Sequence, residues 1–308
     1  MVEPIKNPFY LQPIPQELLE LLFVNREKEM EQAKRILQSD DSYAVVSVLG
    51  SSGTGKSTML NAISSLSNEK SDKAEPSPDL GFDVLKVNVP KPGVYLIDNV
   101  NTLDDKFVLS IYQKLSELGD KKIFFADELR RSPECVHSRR NITTHASIIL
   151  SDNLTTKEVE NFLKVRMKRC GKDYTFTTKA IEIMSHRARG NLRDFFKYCN
   201  EAYTIAKGRK VTPTYANSAI VHVDAELIET FDSAEKEILR ILMEKDNMNI
   251  GEIIHDLKKR GIETTRPTLQ TKFDSLGKYG IVSSRKQGNE VIYQCIYRKL
   301  AIDIKEIL

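Results

Sequence analysis

The sequence predicts an α/β protein: a mostly parallel sheet with helices on its faces, then a helical stretch, then three helices and a β-hairpin. Three observations carry this. Through the first half, short apolar runs such as Tyr43–Leu49 and Val94–Ile97 alternate with helical patterns, as buried parallel strands do. From Thr155 onward apolar residues recur at helical spacing: Val159, Phe162, Leu163 and Val165, then Ala180, Ile181, Ile183 and Met184. After Asp224 three amphipathic helices precede a hairpin with Gly288-Asn289 at its tip. The expected domains are residues 1–153, 154–223 and 224–308, and 308 residues are enough for roughly two or three.

Composition narrows the class. No stretch approaches the roughly 18 apolar residues of a membrane span, and Met1–Pro8 has neither the apolar core nor the cleavage site of a secretory signal. The four cysteines, Cys135, Cys170, Cys199 and Cys295, form no C-x-x-C pair. That pattern, with histidines at no ligand spacing, fits a cytoplasmic protein with no structural metal. A net charge of +3 is too small to identify a nucleic-acid partner, so any such inference must rest on local clusters.

The first element in order is a lead-in with Pro4, Pro8, Pro13 and Pro15, including a short helix over Gln16–Leu22. A helix follows with Met30, Ala33, Ile36 and Leu37 on one face and Asn25 as its cap. Then comes the strand Tyr43–Leu49 and the segment Gly50-Ser51-Ser52-Gly53-Thr54-Gly55-Lys56-Ser57, which matches Gly-x-x-x-x-Gly-Lys-[Ser/Thr] without a mismatch. Thr58–Leu66 reads as the next helix. Strand, glycine loop and helix start together are the context that gives this motif its meaning. Glycines let the backbone wrap a phosphate, and the turned N–H groups and helix N-terminus face its oxygens. Lys56 would reach the β- and γ-phosphates of ATP, and the Ser57 hydroxyl would hold Mg²⁺.

Ser67–Asp79 is polar and reads as a mobile loop. Phe82–Val89 alternates like a strand, and Val94–Ile97 is a second strand ending in Asp98, a carboxylate placed to hold the Mg²⁺ shell. Only Pro90–Gly93 separates the two, too few residues for a parallel crossover. Either they pair antiparallel or a helix has been lost. Asn101–Leu118 is helical, Lys122–Asp127 is a strand, and Thr144–Leu150 completes five strands.

Asn7-Pro8-Phe9, then Phe23-x-Asn25-Arg26-Glu27-x-Glu29, then helix, strand and phosphate loop, resembles the AAA+ ATPases of the origin-recognition and archaeal replication-initiator group. The related archaeal STAND-type ATPases share the pattern. The resemblance spans nearly the whole chain, which is shorter than typical initiators. It implies an ATP- and Mg²⁺-binding core, a helical lid and a C-terminal winged helix. It implies that Val24, Asn25 and Arg26 lie near the adenine, that Asp127 takes the sensor-1 place, and that Arg139 or Arg140 reaches the γ-phosphate of a neighbouring copy in a homo-oligomer. It also implies that Arg193, in Gly190-Asn191-Leu192-Arg193, takes the sensor-2 place. The family usually has Glu after the strand-end Asp; here it is Asn99, and a carboxamide cannot take up a proton. Hydrolysis is therefore expected to be slow or to use another carboxylate.

In the last domain the helices are Glu235–Met243, Ile250–Leu257 and Arg266–Leu276. On the third, Thr268, Gln270, Thr271 and Lys272 avoid the apolar stripe of Leu269, Phe273 and Leu276. A helix lying in the DNA major groove presents such residues. Arg285 and Lys286 on the hairpin, with Lys258, Lys259 and Arg260 nearby in sequence, add positive charge. The expected function is an initiator-like ATPase whose nucleotide state controls duplex DNA binding. The rivals are a nucleotide-locked DNA-binding regulator with little turnover, and a STAND-like switch whose winged helix binds protein.

Overall fold

The structure, a computed structural model, describes residues 8–9, 14, 19, 23, 26–40, 44–67, 71–74, 93–98, 121–127, 146–150, 154–288 and 290–304. The chain divides into two compact units, Met1–Tyr174 with Gly190–Phe196, and Thr175–Arg189 with Lys197–Leu308.

In the first unit, helix α1 (Glu27–Leu37) leads to β1 (Ala44–Leu49) and α2 (Lys56–Leu66). Strands β2 (Ser71–Ala74), β3 (Gly93–Ile97), β4 (Lys121–Asp127) and β5 (Ala146–Ile149) complete a five-stranded sheet in the order β2-β3-β4-β1-β5. Every neighbouring pair is parallel. Ala44, Val46 and Val48 of β1, Val94 and Leu96 of β3, and Phe124 and Ala126 of β4 alternate along their strands. They form one buried cluster with Ala33 of α1 and Met59, Leu60 and Ile63 of α2. The period of two in the strands meets the helical stripe, which is how an apolar β1 is buried.

Two expectations are corrected here. Ser67–Asp79, read as a loop, contains β2. Its sequence, Ser-Asp-Lys-Ala, has no strand propensity; its place at the sheet edge beside the buried β3 supplies the pairing, and edge strands favour charge. The parallel neighbour that precedes β3 in the chain among the described residues of its edge is Ser71–Ala74, with residues 75–92 between them, ample for a crossover. Arg26 rather than Asn25 stands at the N-cap of α1, and its side chain makes no capping bond. Phe82–Val89, Asn101–Leu118 and all of Gln16–Leu22 except Leu19 lie outside the described residues. The unit continues with α3 (Thr156–Arg169), closed by a capping box in which Thr155 Oγ1 accepts from Glu158 N and Glu158 accepts from Thr155 N.

The second unit holds α4 (Thr178–Ala188), α5 (Leu192–Ala206) from Lys197 on, and α6 (Pro213–Glu229). Helix α6 runs unbroken across the 223/224 boundary expected from composition. The winged helix follows as α7 (Ser233–Glu244), β6 (Met248–Asn249), α8 (Ile250–Lys259), α9 (Arg266–Lys278), β7 (Val282–Gln287), β8 (Glu290–Cys295) and α10 (Ile296–Lys299). The hairpin β7–β8 is antiparallel, and β6 adds a third strand against β8. Asp232 with Glu235 and Asn249 with Glu252 form capping boxes at the starts of α7 and α8. Among the described residues no helix is long and apolar enough to cross a membrane.

A buried polar cluster joins helices α4, α5 and α6 to the winged helix. Asp224 Oδ2 accepts from Arg187 Nε at 2.7 Å and from the Tyr297 hydroxyl at 2.9 Å; Asp224 Oδ1 accepts from the Tyr198 hydroxyl at 2.8 Å. Arg187 also donates to the carbonyl of Tyr279. Burial disfavours the guanidinium charge, but Tyr198, Asp224 and Tyr297 together outweigh it and raise the Arg187 pKa. Burial likewise pushes the Tyr297 phenol up. Breaking such a pair strands a buried charge, which costs about 3–5 kcal/mol. Asp224→Ala should therefore lower the stability of the full chain by about that amount in urea unfolding. Tyr297→Phe, which removes one hydrogen bond and keeps the ring, should cost about 1 kcal/mol. Equal losses would contradict the charge-pair account.

Candidate nucleotide site and duplex-binding surface

Strand β1 delivers the chain to the C-terminal edge of the sheet, where parallel α/β folds place their ligands. Leu150 N donates to Leu49 O at 2.7 Å and holds the loop's first residue against the end of β5. A Cβ on Gly50 would stand 2.5 Å from Thr54 Oγ1 and 3.2 Å from Leu150 O, so only glycine fits. Thr54, buried, folds the loop by donating its hydroxyl to Ser51 O at 2.9 Å. Gly53 (φ +78°) and Gly55 (φ +97°) are in the left-handed region, and Gly55 is the N-cap of α2. Ser51 is half-buried, Ser52 exposed and Ser57 half-buried on the first turn of α2.

Three groups brace this turn. Lys56 Nζ donates to Gly50 O and Ser51 O, each at 3.0 Å. Arg26, which the resemblance puts near the base, is 5% exposed. Its Nη2 donates to Thr54 O at 3.3 Å, while its Nη1 pairs with Glu29 at 2.9 Å. The third brace is Asn191. Its Oδ1 caps α5 by accepting from Arg193 N at 3.0 Å and Asp194 N at 3.2 Å. The same oxygen would lie 1.9 Å from a Cβ on Gly53. The exposed Arg193 thus lies on the first turn of a helix whose cap touches the phosphate loop. Behind the loop, Thr58 Oγ1 accepts from Ile14 N at 3.1 Å and Asn61 donates to Ile14 O at 2.9 Å, so the lead-in pins α2.

Asp98 follows the last residue of β3 and is 2% exposed. Leu49 and Asp127 are paired at the ends of β1 and β4, which brings the backbone of Asp127 beside the loop's start. A cleft of about 480 Å³ opens beside Arg26, lined by Glu29, Leu154, Lys157, Glu158 and Asn161. Val24, Asn25, Asn99, Arg139, Arg140 and the side chain of Asp127 lie outside the described residues. The contacts of Asn191 and Arg26 with the loop were not foreseen from the sequence. An Asn directly before a helical pattern signals a cap, but nothing local signals which loop the cap meets.

On the winged helix, Thr268, Gln270 and Thr271 are exposed on α9 and Arg285 and Lys286 on β7. Lys272 is only 27% exposed because its amine is paired with Asp232 at the N-cap of α7. That bond raises the Lys272 pKa. Arg260 is likewise held between Glu237 and Glu244.

A family model described as Penicillinase repressor matches residues 232–302. No curated protein matches the sequence. Several solved structures share the fold along nearly the whole chain. Cdc6p from Pyrobaculum aerophilum is 15% identical, with 97% of each chain covered and a TM-score of 0.53. Orc1 from Aeropyrum pernix, solved in complex with DNA, is 15% identical, with 98% of each chain covered and a TM-score of 0.59. The RuvB Holliday junction branch migration motor of Thermotoga maritima is 16% identical over 95% of this chain and 99% of that one, with a TM-score of 0.54. The chain therefore has the fold of the Cdc6/Orc1 and RuvB AAA+ proteins: a parallel phosphate-loop sheet with helices, ending in a winged helix.

Proposed function

We propose that this chain is an initiator-like AAA+ ATPase that binds ATP with Mg²⁺ at Gly50–Thr58 and that its nucleotide state governs the grip of the winged helix on duplex DNA. The observation that carries the reading is the complete phosphate loop, braced by Arg26 and by the cap of the Arg193 helix, with a buried Asp98 on the same sheet edge. The DNA in the Aeropyrum Orc1 complex supports the choice of partner.

The residues present fit the nucleotide. Gly55 has no heavy atom within 4 Å of where a Cβ would stand, so the backbone there is open to an anion. Lys56 would exchange its two carbonyl partners for phosphate oxygens, a stronger charge-assisted bond. Ser57 and Asp98 would hold Mg²⁺, which neutralises charge developing on the phosphates. Arg193 would meet the γ-phosphate, and the cleft beside Arg26 is large enough for a base. In an assembly of copies, Arg139 or Arg140 would complete the site from the neighbour.

Asn99 supports a second reading, a nucleotide-locked regulator that binds ATP and turns it over too slowly to matter. Steady-state hydrolysis with saturating Mg²⁺ separates the two: turnover lost in Lys56→Ala rejects the locked version.

Two binding measurements test the site itself. With a fluorescent ATP analogue, the full chain should bind in the micromolar range, and Lys56→Ala should weaken binding at least about tenfold, the cost of one charged hydrogen bond. No uptake by the unaltered chain under any metal condition would refute the proposal. Gly53→Ala should also weaken binding, because alanine is strained at φ +78° and its Cβ collides with Asn191. If Gly53→Ala binds as tightly as the unaltered chain, Asn191 does not sit against the loop in the binding-competent form.

A further inference from the structure

Helix N-caps favour Ser, Thr, Asp or Asn, short side chains that turn back and bond the first N–H groups of their own helix. Arg26 stands at the N-cap of α1, at φ −133°, and makes no such bond. Its guanidinium is used elsewhere, and the side chain is only 5% exposed. Nη2 donates to Thr54 O at 3.3 Å, and Nη1 donates to Glu29 Oε1 at 2.9 Å, one turn along α1. A planar guanidinium suits two partners at fixed angles, where a lysine amine is a single point charge. Arg26 also borders the cleft proposed above for the base. It therefore has two roles open to it, one on the base and one on the phosphate loop.

The choice of acceptor favours the loop. The Thr54 carbonyl and the Gly55 N–H belong to one planar trans peptide, in which the two bonds point in opposite directions. An arginine on the carbonyl thus turns the Gly55 N–H away from Arg26. That N–H makes no hydrogen bond among the described residues. The space beside Gly55 is open, with no heavy atom within 4 Å of where a Cβ would stand. Thr54 itself is 2% exposed, and its hydroxyl is tied to Ser51 O at 2.9 Å. Reversing this peptide would break the Arg26 bond and swap the N–H for a carbonyl oxygen, which repels an anion.

We propose that Arg26 is a positioning residue for the phosphates: it holds Thr54 O so that the Gly55 N–H is aimed at the bound anion, and Glu29 orients Arg26 for that task. Arg26 then acts on the triphosphate through the loop rather than on the base through the cleft. This rests on the nucleotide-binding reading above. A loop whose peptide is already turned gives up less freedom when the phosphate arrives, and that saving appears as affinity for any ligand with the same phosphates.

The test is competition of ATP, GTP and inorganic tripolyphosphate, each with Mg²⁺, against a fluorescent ATP analogue on the full chain. Arg26→Gln should weaken all three by one common factor of about tenfold, the share of one charged hydrogen bond. The ratio of ATP to GTP affinity should stay within about twofold of its starting value, and the number of sites per chain should not change. A fall in sites per chain signals misfolding. Glu29→Gln, which keeps Arg26 in place, then carries the comparison and should give the same pattern at about twofold to fivefold. A loss confined to the nucleotides with tripolyphosphate unaffected, or a collapse of the ATP-to-GTP ratio, would place Arg26 on the base and overturn the inference while the nucleotide site stands. Affinities unchanged for all three ligands would overturn it as well. No uptake of any of them by the unaltered chain would defeat the nucleotide reading itself.

Discussion

The turn between β1 and α2 is constrained from every side, and the rest of the first unit is arranged around that constraint. Gly50 has no room for a Cβ because Thr54 Oγ1 and Leu150 O occupy it. Gly53 is pressed by Asn191, and the carbonyl of Thr54 is taken by the buried Arg26. The parallel sheet exists to bring β1, β3 and β4 to one edge, where the loop, Asp98 and the end of β4 meet. A loop braced this way has little freedom left to lose if it meets an anion. The lead-in, bonded to Thr58 and Asn61 through Ile14, holds the helix whose N-terminus closes the cradle.

The second unit depends on a different interaction. Asp224 gathers Arg187, Tyr198 and Tyr297 from four helices, counting its own, and so makes the helices beyond Thr175 continuous with the winged helix. Isolated, the Arg187–Asp224 pair would be a poor source of stability, because desolvation offsets its attraction. Its value lies in geometry: three donors on one carboxylate fix three elements around α6 at once. The surface of this unit is ordered in the same manner. Salt bridges and side-chain bonds tie α7 to α8 through Arg260 and α7 to α9 through Lys272.

Much of this was legible in the sequence, for reasons that differ by element. The phosphate loop, β1 and β3 follow from a motif and from apolar runs that only a buried parallel strand explains. The capping boxes at Thr155, Asp232 and Asn249, each a cap with its Glu three residues on, were not foreseen although that spacing is a local signal. What could not be read was tertiary. Ser71–Ala74 is a strand because β3 offers it a partner, not because of its own residues. Asn191 and Arg26 brace the loop through contacts 138 and 28 residues distant in sequence, which no local pattern encodes. Lys272 looked like a DNA contact from its place off the apolar stripe; its partner Asp232 lies 40 residues earlier.

The central claim is that a nucleotide held at Lys56 changes how the winged helix meets DNA. The most direct measurement is fluorescence anisotropy of the full chain on a labelled duplex, at one salt concentration, with and without ATP and Mg²⁺. The account predicts affinities that differ by at least about fivefold, a coupling of about 1 kcal/mol, and no difference in Lys56→Ala. Equal affinities in the presence of proven ATP binding would contradict it.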